Sequence, residues 1–133
     1  MSREIKFRAW ISELNKMVQV VSHNFEVGGT YFKDLNGREG FINKGVILRE
    51  YTGLKDKNGK EIYEGDILKT PSLSGKGDII TTIEWSEFSW KEKLIYSPIH
   101  QFYEYFDFSD ETGEDSEVIG NIYENPELLE ETA

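Results

Sequence analysis

The 133-residue chain has no cysteine, only two histidines and three prolines, and no Lys or Arg beyond Lys93. Lack of cysteine excludes a disulfide framework, a thiolate metal site and a cysteine nucleophile. His23 and His100 have no second ligand at metal-like spacing, such as a histidine four residues away with an intervening glutamate, so no zinc site is expected. No apolar run approaches membrane-spanning length. Arg3, Glu4, Lys6 and Arg8 put charge where a signal peptide needs an apolar core. These absences predict a soluble, unexported protein of a reducing cytoplasm, with no membrane contact and no cofactor.

What is present is an ordinary globular composition, 38% hydrophobic and 30% charged, at a length that fits one domain with a small appendage. Charge is unevenly placed: residues 1–93 are near +1, whereas 94–133 carry eleven acids and no base. An acidic surface repels phosphate, so the C-terminal part favours a basic protein surface over nucleic acid, and its plainest role is to keep the chain solvated.

Period-two alternation marks "EIKFRAWI" (4–11) as a strand, and Met17 to Val21 as its hairpin partner. Residues 27–40 hold five glycines and asparagines and are expected to loop, with at most a short strand from Thr30 to Lys33. "KGVILREY" (44–51), "DIITTIEW" (78–85), "KLIYSPI" (93–99) and "EVIGNIY" (117–123) have β-branched and apolar strand composition. "HQFYEYFDF" (100–108) fits neither period, and "SDETGEDS" (109–116) is expected to be a loop. Asn125 as N-cap and Pro126 as first residue predict a short C-terminal helix. The class is mainly β with little helix.

Searches for chemistry return little. A calcium loop with Gly113 at its sixth position would start at Phe108 and end at Ile119, neither of which ligates calcium. "SGKGD" (74–78) lacks the spacing and hydroxyl of a phosphate-binding loop, and no serine sits in a nucleophile elbow. No catalytic or metal-binding residue is assigned, and the chain is not expected to be an enzyme. Trp85, Trp90 and the aromatics that follow could stack on bases, but only Lys91 and Lys93 lie nearby, so packing or a protein interface is the better use of them.

The most patterned stretch is "YTGLKDKNGKEIYEGDIL" (51–68). Asn58-Gly59 is a strong hairpin signal, read as a type I′ turn with positive φ at both residues. Lys55, Lys57 and Lys60 make its tip charged and solvated, so the plainer reading is a hairpin with a bulged or kinked second arm, and a grip on a partner through these lysines is the lesser one. Gly65 suggests a bend on entering the next strand, and Asp66 an acceptor for turn amides.

"REIKFRAW" with "NKMV", this central stretch with "IEW" after it, and "VIGNIYENPELL" resemble, in the same order, the YopX-like family of small phage and prophage proteins. The resemblance implies an SH3-like β-barrel domain over 51–133, preceded by an N-terminal β-rich hairpin extension over 1–50. It implies phage origin and no established activity, and hence an accessory protein that contacts a host or phage protein or forms a homo-oligomer. A second reading is a nucleic-acid-related role, by direct contact through Lys6 and Arg8 or by acidic mimicry of DNA in the C-terminal part.

Overall fold

Apolar Phe7, Ala9 and Ile11 alternate with Arg8 and Trp10, and this segment forms β1 (Phe7–Ile11). The computed structural model describes residues 6–24, 26, 29–86, 89–98, 105–108 and 110–130. The expectations for 100–104 lie outside them. The chain divides into two compact units, Met1–Tyr51 and Thr52–Ala133.

In the first unit β1 is followed by β2 (Lys16–Asn24), β3 (Gly29–Lys33), β4 (Glu39–Ile42) and the start of β5 (Val46–Lys55). All pairs are antiparallel, in the order β4-β3-β2-β1-β5. Ala9, Ile11, Val18 and Phe32 are buried together on one face, with Val20, Ile42, Val46 and Leu48 packed against them. The short strand expected at Thr30 to Lys33 is present as β3, and residues 39–42, expected to loop, pair with it as β4, so that 29–42 form a hairpin. Its glycines are used where the pairing needs them. Phe32 stands opposite Gly40, and its ring lies across the glycine, where a Cβ would meet the ring at 2.6 Å.

In the second unit the end of β5 lies beside β6 (Glu61–Tyr63). An antiparallel sheet follows, built from β7 (Asp66–Pro71), β8 (Asp78–Ser86), β9 (Ser89–Tyr96), β10 (Tyr105–Asp107) and β11 (Glu117–Asn121) in the order β10-β9-β8-β7-β11. The described pairings leave it open, with β10 and β11 at its margins. Its core is Ile62, Leu68, Ile83 and Phe108, joined by Leu54, Trp90 and Val118. No helix among the described residues is long and apolar enough to cross a membrane.

Two local expectations are corrected. Residues 110–115 form a short helix, α1 (Asp110–Asp115), in place of a loop. Buried Gly113 lies against the end of β5, where a Cβ would stand 3.0 Å from the Lys55 carbonyl oxygen. Packing, and not local propensity, makes this turn. At the C-terminus a 3-10 turn (Pro126–Leu129) forms, but Asn125 makes no side-chain cap. Its Oδ1 accepts from the Asn121 main-chain N–H at 3.2 Å, and Asn125 lies over Gly120, so the side chain closes the preceding turn instead.

Glu92 on β9 is 5% exposed on the core side, opposite Ile83, and accepts from the Thr81 hydroxyl at 2.9 Å. Burial pushes its carboxyl above its ordinary value, and the Thr81 hydrogen bond only partly opposes this.

Two outcomes follow for unfolding by denaturant. Gly40→Ala drives a methyl into the Phe32 ring and is expected to cost about 1–3 kcal/mol, with Phe32→Leu in the same chain recovering part of the loss. Glu92 binds its proton more tightly folded than unfolded, so the stability it contributes is full below pH 4.5 and declines as pH rises through its raised pKa. Glu92→Gln is expected to remove that decline and to be the more stable form at neutral pH.

Candidate functional site

The turn at Asn58-Gly59 is tied by its main chain in a particular way. Gly59 N–H donates to the Asp56 carbonyl at 3.0 Å, and Asp56 N–H donates to the Lys60 carbonyl at 2.8 Å. Gly59 has φ +79°, whereas Asn15 is the only non-glycine with positive φ among the described residues. The turn is thus a three-residue loop ending in a glycine bulge, not the expected type I′ turn. The reason is Asp56. Its Oδ1 accepts from the Asn58 and Lys60 N–H groups, both at 2.9 Å, and so favours a right-handed turn before the glycine. Its Oδ2 accepts from Val118 N–H of β11 at 2.9 Å.

The same device occurs in the first unit. "KDLNGRE" (33–39) and "KDKNGKE" (55–61) match at five of seven positions. Asp34 accepts from Asn36 and Arg38 N–H, both at 2.9 Å, and Gly37 has φ +80°. Its second oxygen meets Lys16 Nζ at 3.2 Å. This short repeat could have been read from the sequence by aligning the two turns. The Arg38 N–H leads in holding the Asp34 carboxyl below its ordinary value against the cost of burial, with Lys16 and the Asn36 N–H adding to it. For Asp56 burial is the largest influence and acts upward. The Val118, Lys60 and Asn58 N–H groups and the Lys60 charge together outweigh it, so its pKa is also lowered.

Gly65 and Asp66 sit at a junction. Gly65, at φ +87°, donates to the Ile83 carbonyl and accepts from Ile122 N–H, both at 2.9 Å. Asp66 is fully buried; its Oδ2 accepts from Tyr63 N–H at 2.8 Å, and its carbonyl accepts from the Thr82 hydroxyl at 3.0 Å. Asn121 is its partner on β11. "YEGDIL", "IEW" and "VIGNIY" thereby meet at one place.

Lys55, Lys57 and Lys60 are all exposed on this hairpin; Lys57 Nζ lies 3.8 Å from Glu117, which Lys69 also approaches at 3.7 Å. Trp85 and Trp90 are cross-strand partners in edge-to-face contact with centroids 4.9 Å apart. Trp90 joins the core, and Trp85 is half exposed. Lys6 lies over the Tyr51 ring at 4.9 Å, and Arg8 is only partly exposed. Among the described residues no three His, Asp or Glu side chains are grouped to hold a metal ion.

A surface that sequence reasoning did not single out lies on the first unit. Tyr31 and Phe41 are cross-strand partners whose rings meet at 4.7 Å, yet they are 56% and 53% exposed. Val21, at a bulge in β2, is exposed beside them. Two open cavities share this pair. One, of about 810 Å³, is lined by Ser22, His23, Asn24, Glu26, Gly29, Tyr31 and Phe41; the other, of about 510 Å³, is lined by Val21, Ser22, Tyr31, Phe32, Glu39, Gly40 and Phe41. β4, which supplies Phe41, is hydrogen-bonded to a strand on one side only among the described residues. The available signal was weak: period-two alternation in "TYFK" and "EGFI" puts Tyr31 and Phe41 on one face only once their register is known.

Three comparisons place the chain among known proteins. A family profile described as YopX protein matches residues 6–130. No curated protein matches. Among solved structures, protein EF1440 from Enterococcus faecalis is 27% identical with a TM-score of 0.66, over 97% of this chain and 100% of that one. Protein yopX from Bacillus subtilis is 23% identical with a TM-score of 0.58, over 94% of this chain and 98% of that one, a likeness of fold.

Asp56→Ala removes the acceptor of three main-chain N–H groups and is expected to cost about 3 kcal/mol in denaturant unfolding. Because the folded pKa of Asp56 is lowered, its contribution is present above the ordinary value of 3.8 and is lost as pH falls through the folded value. The difference between wild type and Asp56→Ala should therefore narrow on acidification below that point.

Proposed function

The chain belongs to the YopX family, and from that premise we propose that it is a phage or prophage accessory protein that acts without catalysis, by binding another protein in the host cytoplasm. The observation that carries this reading is the solvent-facing aromatic pair formed by Tyr31 on β3 and Phe41 on β4, the last described strand at that end of the sheet. Large aromatics that are neither buried nor scattered singly mark contact surfaces, and Tyr and Phe are enriched in them. The best-patterned stretch, 51–68, is occupied in holding the fold together, which leaves the first unit as the place for contact. The second unit is read as a small SH3-like barrel, a scaffold whose short strands and charged turns keep it soluble.

Acidic mimicry of DNA is the second reading, favoured by one observation. Residues 52–133 hold nineteen Asp and Glu against seven Lys and no Arg. Charge reversal of β11 and α1 acids would abolish partner binding under that reading and leave it intact under the first.

The experiment is partner capture from infected or lysogenic cells with wild type and with Tyr31→Glu/Phe41→Glu in parallel, each checked for an unchanged melting temperature. Wild type is expected to retain a specific protein that the double variant loses by tenfold or more. Equal retention by both would refute a contact through this face.

A further inference from the structure

We infer that the groove over Tyr31 and Phe41 takes an extended, cation-bearing peptide segment of the partner, added as a strand along β4. The inference rests on the protein-binding reading above and specifies its chemistry. Three observations on the first unit converge. β4 ends its sheet among the described residues, so its outer margin offers main-chain N–H and C=O groups for one more strand. The two cavities beside it share the aromatic pair, whose ring faces attract ammonium and guanidinium groups. Their described linings contain two carboxylates, Glu26 and Glu39, and no Lys or Arg.

Lys33 stands cross-strand from Glu39 and counters part of that charge. In an extended peptide alternate side chains project to the same face, so a cation over the Tyr31-Phe41 pair and another two residues along, beside Glu39, come from a pattern of alternating bases. A phosphate-bearing ligand has no cation in the described linings to meet it.

The test uses the full chain and three blocked eight-residue peptides: alternating Arg and Thr, alternating Glu and Thr, and the Arg-Thr peptide with every second backbone amide methylated. Binding is read by fluorescence anisotropy and by amide shifts. The Arg-Thr peptide should bind and move the amides of Glu39 to Ile42. Affinity should fall at least tenfold for the Glu-Thr and methylated peptides and for the Phe41→Ala and Glu39→Lys variants, with melting temperatures unchanged. No binding, equal binding of the methylated peptide, or shifts centred on acidic residues 107–117 would overturn the inference. So would sedimentation showing a dimer that Phe41→Ala dissolves, since the face would then belong to a second copy. Partner capture that depends on Tyr31 and Phe41 would survive any failure with the peptides, which separates this inference from the reading it rests on.

Discussion

One buried carboxylate organises the turn and strand on which much of the second unit depends. Asp56 is 6% exposed and keeps its charge because three main-chain N–H groups point at it, from Asn58, Lys60 and Val118. A buried charge without such partners would be costly, and with them it locks together segments 62 positions apart in sequence. Asp34 closes the corresponding turn in the first unit, with a lysine in place of the distant strand. A short turn sequence used twice thus gives one local result and two different attachments.

The junction at Gly65 and Asp66 extends this logic. The stretches that carry the family resemblance are far apart in the chain, yet they hydrogen-bond to one another through Gly65, Asp66, Ile83 and Ile122. Their pattern is explained by main-chain groups that must be satisfied in a tight space. It needs no ligand. This is why the lysines at 55, 57 and 60, prominent in the sequence, are spread between solvent and a contact with Glu117. The exposed aromatic pair falls in the segment that was hardest to read. Glycines at 29, 37 and 40 make 29–42 look like a loop, but Gly37 serves the turn and Gly40 lies beneath the Phe32 ring, which leaves Thr30, Phe32 and Ile42 facing inward and Tyr31 and Phe41 outward.

Legibility followed the range of the forces involved. The β-rich character, the first hairpin and most strand positions were written locally, in alternation and β-branched composition, and the family was written in the order of its motifs. That a turn lay near Asn58-Gly59 was likewise readable. The turn type was not, because the Asp56 side chain settles it. The helix at 110–115 was not, because Gly113 meets the Lys55 backbone only after folding.

By itself, then, the sequence determined the secondary-structure class, the turn sites and the family, since each depends on residues within a few positions or on motif order. Tertiary structure alone decided which face Tyr31 and Phe41 present, which amides Asp56 receives and which strand ends its sheet. Those depend on register, and a shift of one residue would turn every side chain of a strand to the opposite face.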